Sequence, residues 1–261
     1  VDVDTDHLDL SVVIMARDAA DLLPDCLAGV MEAGEVLVVD TGSEDDTVEV
    51  ARRAGARVEA LPWAGFGPTR EAAFKMANRG WIFWLDADER VTPALWDAIE
   101  RAVDDPDGPA GYRLDRRANF LGRWMRGGGW GRDRVLRLFR ADAWRLEATR
   151  VHEHAMVEGR VGQLEGELLH LTDADLSHYL AKFDTYTSLA AADLHERGRR
   201  ARWSDLLLRP PATFLRMYLL KGGFVDGWEG LTLARLSALY VHVKYLRLRR
   251  LQTGEDDDAT A

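Results

Sequence analysis

Three short apolar runs, each followed directly by a carboxylate-bearing turn, limit this chain's folding more than any other feature. Leu10 to Ala16 reads Leu-Ser-Val-Val-Ile-Met-Ala and leads into Arg17-Asp18. Glu35 to Val39 ends at Asp40, and Trp81 to Leu85 ends at Asp86. Runs this short and this rich in β-branched and aromatic residues are strands buried on both faces. A weaker strand is expected at 57–61. Helical spacing fills the gaps. Leu22, Leu23, Cys26, Leu27 and Val30 share a face in 20–31, and further helices are expected at 69–79 and from Thr92-Pro93 to about Val103. Ser43 is expected to cap a helix running through Ala54, with Glu44, Asp45 and Asp46 at its positive end. Strands alternating with helices require crossover connections, hence a parallel sheet over roughly residues 8–105. Functional groups of such sheets collect where the strands end.

Asp86-Ala87-Asp88 places two carboxylates on one turn, suited to a hard divalent cation that neutralises phosphate oxygens. A solvated strand-end loop is the plain alternative. Asp40-Thr41-Gly42-Ser43 forms a strand–turn–helix junction. Gly42 allows the tight turn and Asp40 can accept hydrogen bonds from a nucleobase or a ribose hydroxyl. A cap and turn alone accounts for Ser43 but leaves Asp40 unexplained.

The alternation breaks after residue 105. Sheet strands are expected at 111–117 and 134–140, and ten Arg fall within 113–145. Such a density makes either a solvated basic surface or a cradle for diphosphate and acidic acceptor groups. Gly127-Gly128-Gly129-Trp130 reads as a mobile loop with an aromatic anchor on which a sugar stacks. From about 175 the pattern is helical: 175–197, 211–221 and 229–250.

Taken in order, Ser11-Val12-Val13-Ile14, Asp40 to Thr47 (DTGSEDDT) and Leu85 to Glu89 (LDADE) resemble family 2 glycosyltransferases. Pro62 to Gly67, Arg90-Val91, Arg137-Leu138-Phe139, Val151-His152-Glu153, Tyr218 to Gly230 and Tyr240 to Tyr245 narrow the resemblance to bacterial lipopolysaccharide-core glucosyltransferases, over about residues 10–250. The resemblance implies an α/β, Rossmann-like GT-A fold: a mostly parallel sheet with crossover helices, plus a C-terminal helical extension. The implied division is 8–172 for the catalytic domain, 173–252 for the helical extension and 253–261 for an acidic tail.

It also implies an inverting, metal-dependent transfer from a nucleotide-diphosphate sugar, UDP-glucose-like, to a glycolipid or lipopolysaccharide-core acceptor. Ala16, Arg17, Asp18, Asp40, Gly42, Arg70, Asp86 and Ala87 match donor-binding positions. Asp88 and Asp86 match the motif for a divalent cation, Mg²⁺ or Mn²⁺, and His170 or His154 can complete its shell. A histidine in an apolar run is also commonly a hydrogen-bonded core residue. Trp130, Arg132 and Arg137 are expected on the acceptor side. Two departures stand out: Ala16-Arg17-Asp18 replaces the usual Lys-Asn-Glu, and Thr69-Arg70-Glu71 replaces Gln-Lys-Asn.

Inversion by one in-line displacement needs a carboxylate base on the acceptor hydroxyl. Glu153, within Val-His-Glu, leads. Asp133, ahead of Arg137-Leu138-Phe139, is the other candidate, and an ion pair with neighbouring Arg explains it equally well.

Charge bears on partners. The net charge is −10, yet residues 197–250 hold 12 Arg/Lys against three acids. Such a segment is either a foot on anionic membrane or a solvated basic face. The acidic remainder argues against a nucleic-acid partner. The single cysteine, Cys26, excludes an intrachain disulfide and points to a reducing compartment. The acidic start lacks a signal-peptide pattern and no run is apolar enough to span a bilayer, so the expected place is the inner face of the cytoplasmic membrane. Three readings compete with the leading one: transfer to a protein or peptide side chain, nucleotidyl transfer, and a non-catalytic membrane module. Arg17-Asp18-Ala19-Ala20 is not the Gly-rich loop that nucleotidyl transfer usually shows.

Overall fold

The computed structural model describes residues 7–147, 154–173 and 176–253. Strands β1 (Leu8–Ala16), β2 (Ala33–Asp40), β3 (Arg57–Ala60) and β4 (Trp81–Asp86) alternate with helices α1 (Leu23–Ala28), α2 (Thr47–Arg53) and α3 (Phe66–Phe74). Next come β5 (Glu89–Val91), α4 (Pro93–Val103), β6 (Gly111–Phe120), β7 (Arg123–Trp124), β8 (Asp133–Arg140), β9 (Trp144–Glu147), β10 (His154–Val157) and β11 (Val161–Asp173). The main sheet runs β3-β2-β1-β4-β8-β6-β11-β5, with β7 on β6 and a separate β9–β10 hairpin. Its first four strands are parallel, whereas β4–β8 and β5–β11 are antiparallel. The expectation of an α/β fold, with parallel strands joined by crossover helices and a helical C-terminal part, is borne out.

Strand alternation explains why the apolar runs are continuous. Leu10, Val12 and Ile14 face one layer, with Leu23, Leu27, Leu95 and Ile99. Val13 faces the other, with Leu37, Val39, Ile82 and Trp84 against Ala73 and Phe74 of α3. Ser11 is the polar exception; its buried hydroxyl accepts from the Asn78 and Arg79 amides and donates to Glu35, fixing the entry to β4. In register, Ala16 pairs with Asp40 and Met15 with Asp86, so β1, β2 and β4 end level.

Several expectations need correction. Helix α2 starts at Thr47, with Asp46 as its N-cap, not at Ser43. The Ser43 hydroxyl is engaged elsewhere: it donates to Asp40 and accepts from the Asp18 amide. Strand β11 was not expected, because its sequence lacks clean alternation. Gly166 gives it a kink at φ +90°, where a Cβ would stand 2.5 Å from the Leu95 nitrogen.

The chain divides into two compact units. One holds the residues up to Arg116 with Arg134–His170; the other holds Arg117–Asp133 and the described residues from Leu171 on. In the second, α5 (Leu176–Glu196) and α8 (Gly227–Thr253) pack together, with α6 (Trp203–Leu207) and α7 (Arg209–Leu215) beside α8. Phe120, Met125, Met217, Leu233 and Ala234 form one core, and Ala191, Leu206, Tyr245 and Leu248 another. The Gly127–Gly129 stretch is not loose. The buried Asp226 carboxylate accepts from the Arg126 and Gly127 amides, and Gly128 donates to the Lys221 carbonyl. A Cβ at Gly127 would lie 2.2 Å from the Gly222 oxygen, so this glycine is required by close backbone approach. Among the described residues, no helix is long and apolar enough to cross a membrane.

Candidate active site

The level strand ends of the first unit gather most of the residues singled out above. The β1 and β2 ends are laced together. The Asp18 carboxylate accepts from the Glu44 amide at 2.8 Å. Thr47 accepts from the Ala19 amide at 2.7 Å, and Asp45 from the Ala20 amide at 3.0 Å. Asp18 holds φ +48°, a left-handed conformation that a short polar side chain tolerates. Arg17 is exposed and Ala16 buried.

Asp40 is 8% exposed and accepts from the amides of Gly42 and Ser43 at 3.2 Å and from the Ser43 hydroxyl. The charge after Val38-Val39 is thus itself the turn's cap, with capacity left for one further donor. Gly42, at φ +100°, turns the chain there.

Asp86 is more heavily engaged. Its Oδ1 accepts from the Trp84 indole at 3.0 Å and from Arg70 at 3.3 Å, and its Oδ2 from Arg137 at 2.8 Å. Arg70 and Arg137 also stand 4.0 and 4.1 Å from the centroid of the Trp84 ring, a double cation–π contact. Burial pushes the Asp86 carboxyl upward, but Arg137 and Arg70 outweigh it and hold the group well below the usual carboxylate range.

Glu89, which sequence reasoning missed as a site residue, is fully buried beside it. It accepts from the Asp86 amide at 3.0 Å, from Arg137 at 2.8 Å and from Arg116 at 3.3 Å. Burial lifts its carboxyl above the ordinary value despite the two arginines. The available signal was a third acid directly after Asp-Ala-Asp, at the start of an edge strand. Arg90 fixes the turn by donating to the carbonyls of Ala87, Glu89 and Leu22 at 2.8–3.0 Å. Arg137, expected on the acceptor side, is 3% exposed, and its Nη2 is given to Asp86 and Glu89.

Asp88 differs. Its carboxylate is a quarter exposed, as is that of Asp86, but it has no arginine partner among these contacts; its Oδ2 lies 3.3 Å from Nε2 of His170, whose backbone pairs opposite Glu89 through the β5–β11 register. A carboxylate oxygen and an imidazole nitrogen at this separation suit two ligands of one divalent ion. Asp86, with both oxygens committed, is less open to an ion. Among the described residues no group of three or more His, Cys, Asp or Glu converges as a metal site.

In the second unit, Trp130 packs edge-on against Phe120 at 5.8 Å, and its carbonyl accepts from the Ala118 amide. Arg132 is exposed, and Asp133 is half-buried at the start of β8. Glu153 lies outside the described residues, and so does the His154 side chain.

Residues 11–156, more than half of the chain, match the profile of Glycosyl transferase family 2. The chain belongs to this family. The lipopolysaccharide core biosynthesis glycosyltransferase LpsC of Rhizobium meliloti is 29% identical to this glycosyltransferase over 252 residues, covering 91% of this chain and 93% of LpsC. An uncharacterized glycosyltransferase of Rickettsia typhi is 26% identical over 230 residues, covering 84% and 77%. Among solved structures, S. aureus TarS 1–349 in complex with UDP-GlcNAc superposes with a TM-score of 0.48 at 12% identity, covering 94% of this glycosyltransferase and 92% of that chain. Family membership disposes of the nucleotidyl-transfer and non-catalytic readings.

Proposed function

We propose that this glycosyltransferase inverts the anomeric centre as it moves a sugar from a UDP-glucose-like nucleotide-diphosphate donor to a glycolipid or lipopolysaccharide-core acceptor. The enzyme class follows from the family. The acceptor class is supported by the full-length similarity to LpsC. The observation that carries the reading is the Asp88–His170 pair, partly open at the strand ends beside the cluster of Asp86, Arg70 and Arg137.

In this reading Asp40 and the laced β1 and β2 turns receive base and ribose. Arg70 faces the diphosphate, and Asp88 with His170 holds Mg²⁺ or Mn²⁺. A bound divalent ion neutralises the charge that builds on the departing diphosphate. Glu153 takes the proton of the acceptor hydroxyl, with Asp133 as the alternative base, and Trp130 and Arg132 meet the acceptor. The enzyme works on the inner face of the cytoplasmic membrane, resting on it through 197–250. By role the division is a catalytic domain, 8–172, and an acceptor-side extension, 173–252, while 117–133 belongs to the second unit by its packing.

UDP-glucose with Mn²⁺ is expected to raise the melting temperature of the wild type, as ligand linkage requires. It is also expected to be hydrolysed slowly, and both effects should disappear in Asp88→Ala. Unchanged turnover in that variant would sink the metal assignment. Glu153→Gln should keep the donor-induced shift and lose transfer by about 10²–10⁴-fold. If Asp133→Asn behaves so instead, the base is Asp133.

A further inference from the structure

Residues 203–228 of the second unit expose an unusual amount of apolar side chain. Leu220 is 84% exposed, Trp203 66% and Trp228 65%, and Leu207, Leu208, Leu215, Leu219, Phe224 and Val225 are all about half exposed or more. Patches of this kind mark interaction sites. The charged groups among them are sorted by sign. Arg209, Arg216 and Lys221 are exposed, and so is Arg202 just before them. Both acids of the segment are internal: Asp205 accepts from the Arg202 amide and Arg209, and Asp226 from the Arg126 and Gly127 amides. The exposed charge of this stretch is therefore basic only. Beside it, Arg200, Arg202, Trp203, Arg249 and Gln252 line a cleft of about 440 Å³, and Arg249 lies 4.4 Å from the Trp203 ring centroid.

We propose that 203–228 is a wedge that seats among the headgroups of an anionic phospholipid bilayer, with headgroup phosphates in the arginine cleft. The proposal deepens the membrane-acceptor reading and rests on it. Leucine and aromatic tips whose exposed charged neighbours within the segment are all cationic, with the adjacent Glu229 carboxylate held 3.8 Å from Arg123, match the interfacial zone, where apolar area and attraction to anionic lipid act together. A second copy of the chain is a poorer occupant. A two-fold contact through this face gathers Arg209, Arg216 and Lys221 of both copies, all of one sign, into a single interface.

The test is co-sedimentation of the full chain with vesicles of phosphatidylcholine alone or mixed equally with phosphatidylglycerol. Binding is expected to the mixed vesicles, falling with added salt, with quenching of tryptophan emission by brominated lipid. Leu219→Asp/Leu220→Asp should abolish binding. Arg200→Gln/Arg202→Gln/Arg216→Gln should weaken it by about a hundredfold. Both variants should keep the wild-type melting temperature and its shift with UDP-glucose. Wild type that stays in solution, or variants that bind as well as wild type, would overturn the wedge. So would a wild-type dimer that Leu219→Asp/Leu220→Asp converts to monomer without vesicle binding, since the face then covers a second copy. A donor-induced shift without vesicle binding removes the wedge alone. Vesicle binding without any donor effect removes the proposed donor chemistry alone.

Discussion

Asp86 and Glu89 share one guanidinium nitrogen of Arg137, and their proton affinities are displaced in opposite directions. The Asp86 carboxyl binds its proton less readily in the fold than in the unfolded chain. Its stabilising contribution is therefore complete above the ordinary carboxylate value of about 3.9 and is lost as pH falls through the lower folded value. Asp86→Asn is expected to melt below the wild type at neutral pH, with the gap closing in acid below about pH 4. Thermal melts from pH 7 downward check this, and a gap independent of pH would refute it. Glu89 has the opposite sign: its contribution is present below the ordinary glutamate value and fades as pH rises through the raised folded one. At this scale the sequence displayed Asp40, Asp86 and Asp88 clearly, since a carboxylate after an apolar strand is conspicuous. Glu89 and the burial of Arg137 were hidden, because both depend on which strands meet across the sheet. For Glu89 that information lies in β11, far along the chain, and for Arg137 in the pairing of β8 with β4.

At the scale of elements, the parallel half of the sheet was legible because buried strands and capped helices carry local signals. Thr92 is one such case: its side chain accepts from the Leu95 amide and Pro93 opens α4, as the sequence suggests. The start of α2 differs from the expected one because the Ser43 hydroxyl is turned back to Asp40 and accepts from the Asp18 amide, a tertiary partner that no local rule anticipates. Strand β11 escaped notice for a related reason. Gly162 and Gly166 interrupt its pattern, and Gly166 is needed both for its φ of +90° and because α4 passes close by. Gly166→Ala combines an unfavourable φ with a 2.5 Å approach to the Leu95 nitrogen. It should cost about 1–3 kcal/mol in urea unfolding. Since β11 carries His170, the variant should also weaken Mn²⁺-dependent stabilisation by UDP-glucose.

For the molecule as a whole, net charge proved a poor guide until it was divided. The chain is −10 overall, yet the exposed charge of 203–228 is entirely basic, because Asp205 and Asp226 are turned inward. Composition can count those acids but cannot say that burial removes them from the surface. A consequence for turnover follows. Leu219→Asp/Leu220→Asp should slow transfer to an acceptor embedded in anionic vesicles by about tenfold or more, while transfer to the same acceptor in detergent stays near wild type. Equal losses in both assays would place the defect in the enzyme's chemistry. The Trp84 ring offers a way to observe the donor without an assay of turnover. Its indole is bonded to Asp86 and shares its ring with two guanidinium groups, so its emission depends on where those charges stand. A diphosphate that draws Arg70 from Asp86 would change that field, and the fluorescence difference between wild type and Trp84→Phe would register donor arrival in real time.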